Sequence, residues 1–362
     1  MEVESQQQQQ QPPTKNQISK HLRWFLMALN FTIMVIGTAV SPLLLRLYFL
    51  KGGTRKWLSS WLQTGGWPLL FIPLVISYAH RRRCGGGRPT KLYLITPPLF
   101  LSCTVLGFLV GLDDFLYAYG MSYLPVSTSS ILISTQLGFT ALFAFFIVKQ
   151  KFTSFSVNAV VLLSIGAVIL GLHASGDRPK GESNTLYYWG FFMTLAAAVL
   201  YGFILPLVEL TYAKAKQVVS YTLVIEMQLV MGFFATVFCT VGMLVNNDFH
   251  AIPREAQECE LGELRYYELL IWSAILWQFF FLGTVGAIFY GSALLAGIIM
   301  AVLIPVTEVL AVVFFHEPFS GGKGVALALA LWGFVSYFYG EFLESKKKKP
   351  LVDPGHLDSG NN

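Results

Sequence analysis

The chain is 362 residues long, 54% hydrophobic and only 12% charged, with a mean hydropathy of +0.58. That much apolar surface excludes a soluble domain and describes a polytopic membrane protein. The net charge of +5 sits on basic residues in joints and tails without interleaved stacking aromatics, so it reads as a topology signal and not as a nucleic-acid footprint.

Residues 1–21, with the run Gln6 to Gln11, form a polar low-complexity tail and not a cleavable signal peptide. Ten apolar spans follow, at 24–45, 59–79, 95–118, 125–148, 155–173, 187–208, 220–244, 268–289, 291–315 and 324–343. Short joints with glycines or charges separate them, such as Lys51-Gly52-Gly53 and Arg81 to Arg88. The longest joint, Asn246 to Tyr267, is net acidic, and a polar tail closes the chain at 345–362.

With the N-terminus inside, sixteen of the 25 lysines and arginines fall on the inner side. That excess predicts both termini in the cytoplasm. Arg46, Lys51, Arg55 and Lys56 in the first outer joint run against the rule.

A weak internal repeat supports an even count. Ser41-Pro42-Leu43 is echoed by Leu205-Pro206-Leu207, and Thr140, Gly166 and Val168 recur as Thr307, Gly333 and Val335 at a constant spacing. Five spans repeated give an inverted pair, here 22–180 and 181–344, which is a transporter architecture with its site near the midplane.

The buried charges are the sharpest functional signal. Asp113, Asp114, Glu226 and Glu308 lie within spans, and no lysine or arginine lies deep in any. A carboxylate at that depth costs at least ~2.5 kcal/mol. It must be protonated, bind a cation or meet a ligand's donors. Glu308 stands three residues after Pro305, which breaks a helical hydrogen bond and suggests a polar cavity. Glu308, Glu226 and Asp113 are therefore the candidates for carrying a coupling proton, and no other cofactor is called for.

Amides and aromatics suggest the ligand. Trp67 or Tyr201 could stack a flat ring, and Asn30, Gln136 and Gln228 could read its edge, with Glu308 bonding a ring N–H. Gln63, Trp277 and Gln278 belong to the same inventory of amides and aromatics within spans. Absence of buried basic residues disfavours a phosphorylated cargo. An intramembrane enzyme is disfavoured too. Asp113 and Asp114 point about 100° apart on a helix, the six histidines lie at span ends or in joints, and Cys84, Cys103, Cys239 and Cys259 have no metal-ligand spacing.

Five stretches carry a resemblance: PLLLRLYFLKGGTRKWLSSWLQTGGWP (42–68), YLPVSTSSILISTQLGFTALFAF (123–145), EMQLVMGFFATVFCTVGML (226–244), LIPVTEVLAVVFFHEPF (303–319) and LWGFVSYFYGE (331–341). Over about Asn30 to Glu341 the chain resembles the plant purine permease family of the drug/metabolite transporter superfamily. The resemblance implies an all-α membrane fold of ten helices in two inverted five-helix repeats. It also implies proton-coupled import of adenine and related purines, including cytokinins, across the plasma membrane. Some members of that family carry other nitrogenous heterocycles such as pyridoxine or alkaloids. The expected partners are thus a small heterocycle and the lipid bilayer, with monomer or oligomer left open.

Overall fold

The computed structural model describes residues 20–84, 91–124, 129, 132–133, 135–150, 152–173, 184–315 and 321–348, and among them there is no strand. The first helix, α1 (Lys20–Leu50), is 31 residues long with Pro42 inside it. It is followed by α2 (Lys56–Thr64), a 3-10 turn at Trp67–Leu70, and α3 (Phe71–Cys84). Then come α4 (Pro97–Tyr123), α5 (Gln136–Ile147), α6 (Ser154–His173) and α7 (Asn184–Ala213), the last with Pro206 inside. The chain ends with α8 (Tyr221–Val245), α9 (Asp248–Glu258), α10 (Glu263–Tyr290), α11 (Ala293–Phe315) and α12 (Gly321–Lys348).

Six stretches are long and apolar enough to cross a membrane: Trp24–Leu50, Lys56–Arg83, Pro97–Tyr123, Thr185–Ala213, Tyr221–Val245 and Glu263–Tyr290. Gln136–Ile147, Ser154–Gly166 and Ala293–Ile304 are shorter apolar helices among the described residues. The span at 59–79 is not one helix, because Gly65-Gly66 and Pro68, which lacks an N–H, interrupt the ladder between α2 and α3. The acidic joint, Asn246 to Tyr267, carries the short helix α9.

Apolar side chains face outward on helix after helix. Ile72, Val75 and Ile76 of α3, Leu101 and Val105 of α4, and Trp332 and Val335 of α12 are all exposed. In water such a surface would drive aggregation; against acyl chains it is the ordinary exterior.

Inside, small residues let helices meet backbone to backbone. The closest seam joins α1 to α10: a Cβ on Gly283 would lie 2.6 Å from the Cα of Met34, and Gly37 abuts the backbone of Phe280. The helix α4 packs on α7 and α8, α5 on α7, α2 on α8 and α10, α11 on α1 and α5, and α6 on α12. The largest buried apolar cluster, with Met34, Leu106, Met227 and Phe281, lies where α1, α4, α7, α8 and α10 converge.

At the end of the bundle that carries α9, the acidic joint ties down the first joint. Glu255 is buried and accepts from the Tyr48 hydroxyl (2.8 Å), the Tyr266 hydroxyl (3.0 Å), and the Thr54 N–H (2.9 Å) and hydroxyl (2.7 Å). Arg55 pairs with the buried Asp248 at 3.4 Å and with Glu255 at 3.8 Å. Burial pushes the Asp248 carboxyl above its usual range, opposed by Asn246 and Arg55. Lys51 pairs with Glu260 at 2.9 Å, and Lys56 sits over the rings of Tyr119 and Tyr123. These are cations that ran against the charge rule, and each has a partner.

Candidate functional site

The main cavity lies between α1, α4, α5, α7, α10 and α11, with α2 at its edge, and has a volume of about 90 Å³. From α4 it receives Asp113, Asp114 and Tyr117; from α2, Gln63; from α5, Gln136; from α7, Tyr201; and from α10, Trp277 and Phe280. Asp113 and Tyr117 are four apart and share a face of α4. Asp114 reaches the same space from the adjoining face.

Four lining atoms are buried without a hydrogen-bond partner: Asp113 Oδ1, Asp114 Oδ2, Gln63 Oε1 and Trp277 Nε1. An unmet buried polar group costs about 1–3 kcal/mol, so a cluster of them calls for a ligand or ordered water. The Gln63 amide nitrogen donates to the Asp114 carbonyl at 3.4 Å, and the Gln136 amide nitrogen has only the Met300 sulfur at 3.6 Å. The hydroxyls of Thr38 and Thr307 are spent on carbonyls of their own helices. Aromatic rings supply flat walls. Tyr117 meets Trp277 edge-on at 5.9 Å, and Tyr201 stacks on Phe280 at 5.9 Å. Among the described lining residues there is no lysine, arginine or histidine.

Asp113, Gln136 and Tyr201 therefore come together in one cavity. Asn30, Trp67, Glu226 and Gln228 do not join them. Asn30 is fully buried, lies against Gly286, and donates to the Leu26 carbonyl (2.7 Å) and the Tyr221 hydroxyl (2.9 Å), which fixes α1 to α8. Trp67 packs over Gly232 and edge-on to Phe71 and Phe233, at the break after α2. Glu226 accepts from the N–H groups of Leu94 (2.6 Å) and Ile95 (2.9 Å), which tethers α8 to the segment entering α4. Gln228 lines a second cavity, behind Tyr201. The side chain of Glu308 lies outside the described residues, though its backbone belongs to α11.

Three cavity residues escape a reading by type alone. Tyr117 carries the signal of standing four residues after Asp113. Gln63 and Trp277 look like any buried amide and indole until the break after α2 and the α1–α10 seam turn them inward.

The arrangement offers acceptors from carboxylates and an amide, a donor from an indole, and aromatic walls. That suits a flat heterocycle with N–H groups at its edge.

Comparisons with known proteins bear on the same point. A family model described as purine nucleobase transmembrane transport matches residues 25–347. Purine permease 3 of Arabidopsis thaliana is 52% identical over 327 residues, covering 90% of this chain and 93% of its own. Purine permease 2 of the same plant is 51% identical over 340 residues, covering 91% and 95%. Probable purine permease 5 is 39% identical over 317 residues, covering 88% and 86%. One solved crystal structure shares the fold, with a TM-score of 0.54 and 15% identity over 86% of this chain and 97% of that one. On these matches the chain belongs to the purine permease family, multi-pass membrane transporters of purine nucleobases, and is not an enzyme.

Proposed function

We propose that the chain is a proton-coupled secondary transporter that imports adenine and its cytokinin derivatives by alternating access. The observation that carries this reading is the single cavity in which Asp113, Asp114, Gln63 and Trp277 each leave a polar atom unmet. An adenine ring has an exocyclic amine and a ring N–H for the oxygens, ring nitrogens for the indole N–H, and a π-face for Tyr117 and Tyr201. A carboxyl of the Asp113–Asp114 pair can take up a proton with the cargo and release it on the other side. The coupling ion needs no site beyond such a group. The absence of basic residues from the described lining argues against a phosphorylated cargo.

The packing supports two inverted repeats of five spans, 22–180 and 181–344. Matching α1 to α7, α2 to α8, α4 to α10, α5 to α11 and α6 to α12 maps the contact α1–α10 onto α7–α4. It also maps α4–α8 onto α10–α2 and α5–α7 onto α11–α1. The pairs α2–α8, α5–α11 and α6–α12 map onto themselves. In such a pair the site lies between halves that rock against each other. Lysine and arginine counts favour both termini in the cytoplasm, and the plasma membrane is proposed as the site of import.

The test is uptake of labelled adenine into proteoliposomes holding only this protein, with and without an inward proton gradient. Accumulation that needs the gradient and that unlabelled cytokinin competes away supports the reading. Folded protein that neither binds nor moves adenine refutes it.

A further inference from the structure

The face that α6 and α12 turn outward carries features that transport leaves unused. Phe155 lies against Gly340 and Leu163 against Gly333, so the two helices are antiparallel and the start of α6 stands beside the last turns of α12. Along this seam runs a groove of about 450 Å³, with Ser154, Phe155, Asn158, Trp332, Ser336 and Tyr339 in its lining. Trp332, Tyr339 and Asn158 are exposed. The Asn158 Nδ2 donates to the Ser336 hydroxyl at 2.9 Å, and that hydroxyl donates to the Phe155 carbonyl at 3.5 Å. The second N–H of the Asn158 amide has no partner among the described residues. An amide facing acyl chains is costly, but at the ester level of a bilayer it meets carbonyl acceptors.

Charge marks the same end. Lys149 is exposed in the joint that leads into α6. Beyond Tyr339, α12 continues to Lys346, Lys347 and Lys348. Lys346 is seven residues past Tyr339, which on a helix is about 10 Å further along the axis and within about 20° of the same face. Glu341 and Glu344 stand about 160° and about 140° around the helix from Tyr339, so the carboxylates fall off the face that the lysine continues. We infer that the groove is a site for one anionic glycerophospholipid, with an acyl chain along Trp332 and Tyr339, an ester carbonyl bonded to Asn158, and the charged headgroup at the lysine end of α12. Apolar groove, aromatic and amide, then lysines: the order matches the layers of one bilayer leaflet. A second copy of the chain fits this face worse. Two copies in one membrane share an orientation, so pairing them here sets their lysine ends side by side. The site is independent of the cargo and of the coupling proton.

The experiment is native mass spectrometry of the full chain, titrated in detergent at low salt with phosphatidylserine and with phosphatidylcholine of the same acyl chains. Wild-type protein should take up one phosphatidylserine saturably, about tenfold or more tighter than phosphatidylcholine. Lys346→Gln combined with Lys347→Gln should remove that preference and leave phosphatidylcholine as it was. Ser336→Phe, which fills the groove, should weaken both lipids by about tenfold. Asn158→Leu should weaken both by about threefold, the worth of one hydrogen bond. The lysine variant lies beyond the packed seam and serves if the groove variants lose their monodisperse peak in size exclusion. Equal binding of the two lipids, or a preference that survives the lysine variant, overturns the inference and leaves an unselective lipid annulus. A dimer that Ser336→Phe turns into a monomer, with lipid binding unchanged, overturns it in favour of a second copy.

Discussion

Gln63 and Asp114 meet across α2 and α4, where the Gln63 amide nitrogen donates to the Asp114 carbonyl at 3.4 Å. The bond uses the backbone of one residue and half the amide of the other. It leaves Gln63 Oε1 and Asp114 Oδ2 unmet in the same cavity. Gln63→Leu should therefore weaken adenine binding by about 1–3 kcal/mol, the worth of a lost ligand bond plus the acceptor stranded on the cargo. Titration calorimetry checks this. A lower melting temperature with unchanged affinity would assign Gln63 to packing instead.

The proposed coupling through the Asp113–Asp114 pair is tested at Asp113. Asp113→Asn should abolish accumulation driven by a proton gradient while leaving exchange of labelled for unlabelled adenine, because exchange needs binding and rocking but no net proton. Both can be read in one proteoliposome preparation. Gradient-driven uptake at the wild-type level would remove Asp113 from the coupling.

Glu226 gives the contrasting case. Its carboxylate holds two backbone N–H groups at the entry to α4. Glu226→Gln should lower thermal stability by about 1–2 kcal/mol, since hydrogen bonds to a charged acceptor are stronger than neutral ones. The pH dependence of uptake should stay as it is. A shifted pH profile would restore Glu226 as a proton carrier.

Glu255→Ala strands the hydroxyls of Tyr48 and Tyr266 and two donors of Thr54. The loss should be about 3 kcal/mol or more, read by thermal unfolding in detergent. Asp248→Asn should be milder, because an amide keeps the shape and an oxygen to accept from the Asn246 amide nitrogen, and it gives up only the charge that pairs with Arg55 at 3.4 Å.

Gly283→Val should prevent assembly. A Cβ there already falls 2.6 Å from Met34 backbone atoms, and a branched side chain adds two more carbons. The readout is loss of the monodisperse peak in size exclusion, with Gly321→Val, where no atom lies within 4 Å, as the tolerated control.

Much of this was legible from the residues. Helix placement follows from runs of apolar residues, because lipid leaves the backbone no other way to satisfy its hydrogen bonds. Asp113, Gln136 and Tyr201 stood out as polar groups too deep to be idle. Asn30 and Glu226 stood out for the same reason, yet each is consumed by a bond to a distant helix, and nothing local distinguishes a spent amide from a free one. Trp67 looked like a stacking platform, but the break beside it turns the ring onto Gly232. Long-range packing decides such cases, and it follows from seams such as Gly37 on Phe280 that no window of sequence contains.

The pairing of the first joint with the acidic one has a consequence for how the protein is made. Lys51 waits for Glu260 and Arg55 for Asp248, partners separated from them by 209 and 193 residues. On the ribosome, α1 and α2 are made with those cations unpaired, Arg55 until Asp248 is synthesised and Lys51 until Glu260, beyond the end of α9. A nascent chain stopped before α9 leaves the joint without partners, and the joint is closed only once the chain has passed Glu260 and Tyr266.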